Sequence, residues 1–386
     1  MFQIQTMNKI SPAGLDNFDR TKYTWGDEMN EPDAIMVRSA ALHEMEFPAS
    51  LKAIARAGAG VNNIPVDKCS EQGIVVFNTP GANANAVKEM VIMALLMASR
   101  KVAASMDWVK TLKGNGAEVT KLVEKGKSQF AGPEIMGKKL GVIGLGAIGI
   151  LVANAAQALG MTVYGYDPYI SVDGAWGLSQ SVIHANSLKE IYENCDYITL
   201  HVPATKETKG CINASSIKMM KPGVRILNFA RGELVETADL LEALDERQVK
   251  VYLTDFPTDE MLDHPGVVAF PHLGASTPES EDNCARMAAL ELIDFLENGN
   301  IKNSVNLPNA SMPKTNLDRV CIIHKNVKTI ISQISTALSA LNIENMLNKS
   351  KGDYAYTMLD VDGAVSNDIV EAIQAIDGVI RVLVIQ

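Results

Sequence analysis

Three glycines in the run Gly144-Leu145-Gly146-Ala147-Ile148-Gly149 constrain this chain more than any other feature. A strand-like apolar stretch, residues 139–143, precedes them, and a helical pattern over 149–158 follows. In that setting Gly144 permits a tight turn and Gly146 lets a pyrophosphate approach the backbone, while Gly149 allows close helix–strand packing. The helix start then offers unbonded N–H groups and its positive dipole end to phosphates. A second strand-like run, 162–166, ends at Asp167, which lies 18 residues beyond Gly149. That is near the ~20 at which an acid meets the adenine ribose hydroxyls. A carboxylate there repels a 2′-phosphate, so the motif predicts a site for NAD rather than NADP. A glycine loop alone can be a plain turn; strand, helix and acid in sequence argue against that.

The rhythm of the chain agrees. Further strand-length runs fall near 197–201, 225–229, 250–254 and 267–269, most of them separated by helical segments such as 236–246. Six strands in that order predict a doubly wound parallel α/β sheet of the Rossmann type. Upstream, 34–37, 53–55 and 75–77 read as strands and 84–98 as a helix, and polar, glycine-spotted 114–132 reads as a crossover. Residues 279–297 form one long helical stripe, and 306–316, rich in Pro and Asn, reads as a linker. Beyond it, 317–386 reads β-α-β-β-α-β, the ferredoxin-like order. At 386 residues the chain is too long for one core.

The formal charge of −10 comes without a basic run, which speaks against nucleic acid as a partner. No stretch approaches the ~20 apolar residues of a membrane span. The start MFQIQTMNKI has no basic residues ahead of an apolar run, so no secretory signal is expected. Five scattered cysteines without a CxxC pair predict a reducing, cytoplasmic setting and no metal site. A small anionic substrate would need a local cluster of cations against the overall field.

Three segments lie where later strands should end, the edge at which such sheets bind ligands. Arg231, in Asn228-Phe229-Ala230-Arg231-Gly232, is a candidate to clamp a carboxylate and polarise the adjacent carbonyl. His272, between an apolar strand and a small-residue loop, is a candidate acid–base for a hydroxyl proton. Acids in Asp255-Phe256-Pro257-Thr258-Asp259-Glu260 are placed to orient that ring, or else are solvated. His201, in Leu200-His201-Val202-Pro203, is expected to shape the cofactor cleft.

Together with Val37-Arg38-Ser39, Arg56-Ala57-Gly58-Ala59-Gly60 and Asn78-Thr79-Pro80, these segments resemble the D-isomer-specific 2-hydroxyacid dehydrogenase family, and within it most closely the phosphoglycerate dehydrogenases. The resemblance implies that Arg231 binds the substrate carboxylate and carbonyl and that His272 is the acid–base. It implies that Asp259, with Glu260 as the substitute, supports His272, and that Asp255 faces the nicotinamide. The cofactor set is completed by Gly144, Gly146, Ala147, Ile148, Gly149, Asp167, His201, Val202, Pro203, Thr208, Ala230 and Gly274. Ala147 stands where the family often has arginine. The substrate is expected to meet Ser39 and Arg56-Ala57-Gly58-Ala59-Gly60, its phosphate Arg38 and Arg56, with Asn83, Asn85 and Lys88 assisting.

The family's split architecture implies a flavodoxin-like substrate domain, 1–98 and 286–308, around an inserted NAD domain, 99–285. A linker, 309–316, and an ACT-like regulatory or oligomerisation domain, 317–386, would follow. In the latter His324, Asn326 and Asn342 match effector-contacting positions, commonly for serine, while Lys328-Thr329 replace the usual Pro-Gly. A homodimer through the NAD domain is expected, and a tetramer through the ACT-like one. The implied activity is NAD-dependent oxidation of 3-phospho-D-glycerate to 3-phosphohydroxypyruvate. The rivals are a hydroxypyruvate or glyoxylate reductase and a non-catalytic NAD sensor or corepressor.

Overall fold

The computed structural model describes all 386 residues. They form two compact units, one of residues 1–83 and 278–386 and the other of 84–277.

The second unit is built on a seven-stranded sheet, parallel throughout. Its order in space is Val267–Ala269, Val249–Thr254, Val224–Asn228, Tyr197–Leu200, Lys139–Ile143, Thr162–Tyr166, Ile183–His184. Both faces are covered, so the strands are nearly all apolar and neighbouring residues serve opposite cores. Ile198, Ile226 and Tyr252 pack toward helices Leu188–Asn194, Ala214–Met219 and Thr237–Asp245. Tyr197, Leu227 and Leu253 pack toward helices Ala84–Ser99 and Ala147–Ala158. This packing puts the unit's start at Ala84, ahead of the boundary expected at 99. Chain order reverses between Lys139–Ile143 and Tyr197–Leu200, which makes that gap the topological switch point.

The first unit has a five-stranded parallel sheet ordered Tyr23–Gly26, Phe2–Met7, Ala34–Val37, Ala53–Arg56, Val75–Phe77. Ala34, Met36, Ala53 and Phe77 share a core with Ala285, Ala288, Leu292 and Phe295 of helix Pro278–Asn298. The C-terminal part is a four-stranded antiparallel sheet ordered Asn342–Lys351, Tyr354–Asp362, Asp318–Lys325, Val379–Ile385. Cys321, Ile323, Tyr356 and Met358 on one face join the first core, while Val320, Ile322 and Leu359 on the other meet the two helices through Ile330, Ile334 and Ile373. Arg319 fastens the module, donating to both Asp360 carboxylate oxygens and to the carbonyls of Asn298, Met312 and Pro313.

Several expectations need correction. Residues 114–132 are mostly helical, through Gly116–Glu118, Val119–Gly126 and Lys127–Phe130, with polar exposed sides that hid the period. The expected linker is no loose tether. Ala310 pairs its backbone with Ile301 in both directions, and the Met312 N–H donates to Asn300 Oδ1 at 3.0 Å. Asn306 is buried, accepting from the Val76 N–H at 2.9 Å and donating to the Ile74 carbonyl at 2.9 Å. No helix is long and apolar enough to cross a membrane.

Candidate active site

Because every strand of the second unit runs the same way, its predicted site residues leave the sheet at one edge, each in the loop after a strand. Gly144 turns the chain out of its strand with φ +93°. A side-chain carbon there would lie 2.5 Å from the His201 carbonyl oxygen, and one on Gly149 would lie 1.9 Å from the Gly144 carbonyl oxygen. Those two glycines are demanded by packing. Gly146 differs: nothing in the protein lies within 4 Å of a carbon added to it. It precedes helix Ala147–Ala158, whose start carries no side-chain cap, and Gly146 and Ala147 are exposed while Ile148 is half-buried. Open backbone at an uncapped helix N-terminus suits a pyrophosphate. Asp167 holds the adjacent corner, its carboxylate accepting from the Leu145 N–H and the Tyr169 N–H, each at 2.8 Å. The residues present therefore fit NAD.

His201 sits across the switch point. Its N–H donates to the Ile143 carbonyl at 2.7 Å, and its ring nitrogen Nε2 lies 3.0 Å from Thr199 Oγ1. Burial pushes the ring down to about 3, so it is neutral at physiological pH, and Nδ1 is buried without a partner. Val202 lies against Gly144, and the Thr208 hydroxyl closes the following turn by donating to the Pro203 carbonyl.

Arg231 follows strand Val224–Asn228. Its Nη1 donates to the Ala230 carbonyl at 2.6 Å while the side chain stays exposed. Beneath it, fully buried Asn228 donates to the Arg231 carbonyl at 2.8 Å and to the Tyr252 hydroxyl at 3.1 Å. The sequence motifs give Asn228 no role of its own; a polar residue ending an apolar strand is the signal that marks it.

His272 is exposed, its ring 4.6 Å from the Phe256 ring between centroids. Asp259 and Glu260 are exposed at the start of the short helical turn Asp259–Met261, and neither forms a hydrogen bond or ion pair with His272. The carboxylate whose charge is felt with His272 is Asp255. It is 2% exposed, with Oδ2 accepting from the Gly274 N–H at 3.3 Å and Oδ1 unpartnered. Burial raises its pKa, opposed by the charge of His272, the Gly274 N–H and Arg231. The expected Asp259 contact is thus absent, because the turn after Pro257 carries Asp259 to the surface.

In the first unit, Arg56 ends its strand and Arg38 follows the adjacent parallel one, Ala34–Val37, and Arg56 Nε donates to the Arg38 carbonyl at 3.0 Å. Arg38 is also ion-paired with Glu281. Gly58 has φ +155°, and a carbon added there would strike the Arg56 guanidinium. Ala57 and Gly58 stay on this loop, with the Ala57 N–H donating to the Val37 carbonyl at 2.8 Å and the Gly58 carbonyl accepting from the Thr79 N–H at 3.1 Å. The Ala59 carbonyl accepts from Asn78 at 2.6 Å, Gly60 is half-buried, and the Ser39 N–H donates to Asn8 at 3.0 Å. Asn83 ends this stretch of the unit. In the second unit Asn85 donates to Glu89 at 2.9 Å, and Lys88 lies 3.7 Å from the same carboxylate.

The expected effector residues are spoken for. His324 is buried, with Nδ1 at 2.8 Å from the Lys325 carbonyl and Nε2 at 2.8 Å from Thr357 Oγ1. Asn326 donates to the Gly352 carbonyl at 3.2 Å, and Asn342 donates to Glu344 at 2.5 Å.

Residues 92–274 match the D-isomer specific 2-hydroxyacid dehydrogenase, NAD binding domain. Over those residues the chain is similar to this family. It is 32% identical over 356 residues to D-3-phosphoglycerate dehydrogenase of Bacillus subtilis, covering 88% of this chain and 65% of that protein. It is 34% identical over 344 residues to the Mycobacterium leprae D-3-phosphoglycerate dehydrogenase, covering 86% and 62%. The chain thus spans less than two thirds of these relatives. Among solved structures, the NAD+-bound 3-phosphoglycerate dehydrogenase of Entamoeba histolytica is similar at TM-score 0.60 and 27% identity, over 79% of this chain and 98% of that one. A glyoxylate/hydroxypyruvate reductase of Sinorhizobium meliloti shares the fold at TM-score 0.65 and 21% identity, over 79% and 98%. The glycine loop and Asp167 fall within the residues that match this NAD binding domain.

Proposed function

We propose that the chain oxidises 3-phospho-D-glycerate to 3-phosphohydroxypyruvate with NAD. The observation that carries the reading is that Arg231 and His272 follow strands of the same parallel sheet as the glycine loop, at one edge. Arg231 binds the substrate carboxylate and draws electron density from the C2 oxygen. His272 takes the C2 hydroxyl proton as the carbonyl forms. Bound NAD supplies the acceptor for the hydride that leaves C2. Asp255, buried beside that histidine, stabilises the imidazolium so formed, the part expected of Asp259. Residues 1–83 with 278–308 serve as the substrate domain, with Arg56 and Arg38 reading the phosphate.

The Arg38–Glu281 ion pair favours a second reading. A phosphate would have to displace Glu281, whereas hydroxypyruvate or glyoxylate would not, so a reductase of those acids is the alternative.

Residues 317–386 serve as an ACT-like module that joins subunits rather than taking an effector. The commitment of both His324 nitrogens inside the module supports this, as does Thr329 in the place of a glycine. A homodimer through the NAD domain is supported by Met93 and Leu96, exposed on helix Ala84–Ser99. L-serine is accordingly expected to leave the rate unchanged, and inhibition by it would overturn the assignment.

The mechanism is tested with His272→Ala. Turnover should fall by about 10²–10⁴ while NAD affinity stays within about twofold. Unchanged turnover would remove His272 from the acid–base role.

A further inference from the structure

The first unit contains a cavity of about 490 Å³, within the size range of small-molecule sites, bounded by the Gly81–Ala82 turn and helix Pro278–Asn298. Glu291 and Asn303 line it, with Arg286, Lys302 and Asp294. We propose that this cavity binds a small oxyanion, a carboxylate or a phosphate, held by Arg286, Lys302 and the Glu291 carboxyl.

Glu291 is 8% exposed. Its Oε1 accepts from Asn303 Nδ2 at 2.8 Å, while Oε2 is buried with no partner. Burial pushes the carboxyl up to about 8, so at neutral pH it carries a proton. Since Oε1 is the acceptor for the amide, that proton belongs on Oε2, and a hydrogen-bond donor is left without an acceptor. Buried donors are rarely left so, which makes the missing acceptor the signature of an occupant.

The charges around the cavity agree with an anion. Arg286 is exposed and makes no ion pair. Lys302 lies 3.8 Å from Asp294 Oδ2. The Asp294 carboxylate is already taken up by Asn298 and Asn300, each donating at 2.9 Å. With Glu291 neutral, two cations face one anion. Charged groups on the other elements packed against this helix are engaged away from Glu291: Arg38 with Glu281, Lys22 with Glu297, and Arg56 on the Arg38 carbonyl. An anion beside Oε2 keeps the Glu291 proton in place, so binding requires that proton. Affinity should fall about tenfold per pH unit above pH 8.

The test is calorimetric titration of the full chain, saturated with NAD, using malonate in one arm and inorganic phosphate in the other. At least one anion should bind. Arg286→Ala should weaken that binding at least tenfold, and Arg231→Ala should leave it unchanged. Glu291→Gln keeps a donor at the same place, so it should bind the anion and lose the decline above pH 8. Lys302→Ala, at the surface, provides a second weakening should Glu291→Gln fail to fold. Malonate alone would assign a carboxylate site and phosphate alone a phosphate site. Absence of binding by either anion, affinity indifferent to Arg286→Ala, or a pH decline that persists in Glu291→Gln would overturn the proposal and leave the cavity to water.

Discussion

Substituting the glycine loop one residue at a time separates what packing requires from what NAD requires. In Gly149→Ala the new methyl would stand 1.9 Å from the Gly144 carbonyl oxygen and 3.0 Å from its carbon. Favourable non-bonded contact lies near 3.5–4 Å, so one backbone segment must move by more than about 1 Å. Gly144 cannot give way freely: its N–H donates to the Tyr166 carbonyl at 2.9 Å and its φ is +93°. Overpacking of this kind costs about 1–3 kcal/mol. For a domain of this size that corresponds to a melting-temperature loss of roughly 2–12 °C. Gly146→Ala meets nothing within 4 Å and has φ −75°, which alanine adopts without strain. Its stability should stay within about 0.5 kcal/mol of the parent. The methyl nonetheless occupies the open backbone where the pyrophosphate comes closest, so NAD affinity should fall at least tenfold, or about 1.4 kcal/mol. Thermal melts paired with NADH fluorescence titrations read both quantities. Wild-type NAD affinity in Gly146→Ala would refute the cofactor argument, and a wild-type melting temperature in Gly149→Ala would refute the packing argument.

Thr329 is a β-branched residue with φ +67° at a helix start where its side chain makes no cap. The left-handed conformation costs roughly 1–2 kcal/mol and glycine's extra chain entropy returns about 0.5–1. Thr329→Gly should therefore stabilise the chain by roughly 0.5–1 kcal/mol in urea titrations, and destabilisation would contradict the strain argument. His201 binds its proton in the unfolded chain near 6.5 but in the folded one only near 3. Its contribution is intact above about pH 6.5 and is lost as pH falls toward 3. His201→Gln should flatten that acid limb, and an unchanged limb would place the titration elsewhere. Removing the Asp255 charge in Asp255→Asn should move the basic limb of keto-acid reduction to lower pH with little change in NAD affinity. The same shift from Asp259→Asn instead would restore the role to Asp259.

Much of the fold is legible in the sequence where burial is two-sided. Lys139–Ile143 and Ala34–Val37 stand where the apolar runs put them, since strands covered on both faces have no polar alternation to blur them. The βαββαβ order of the C-terminal part was equally readable. Elements whose pattern is one-sided or polar carry no such signal. Phe2–Met7 alternates polar and apolar residues although it lies between two strands of its sheet, while Ile183–His184 is a two-residue exposed edge strand. Asn306 looked like loop punctuation, yet it supplies hydrogen bonds to a sheet edge that apolar side chains cannot. In the site, the glycine loop, Asp167, Arg231 and His272 lie in segments that local sequence marks. The choice among Asp255, Asp259 and Glu260 depends on which way one turn carries its carboxylates, and spacing does not encode that. Glu291 had no sequence signal beyond an acid in an apolar stripe.

The most direct test of the central claim is the initial rate of NADH consumption with 3-phosphohydroxypyruvate, hydroxypyruvate and glyoxylate compared at equal concentration. The account predicts a kcat/KM at least a hundredfold higher for the phosphorylated acid, and a loss of that preference in Arg56→Ala. Equal or greater efficiency with the unphosphorylated acids would contradict it and establish the reductase, while no turnover with any of the three would leave an NAD-binding protein without this chemistry.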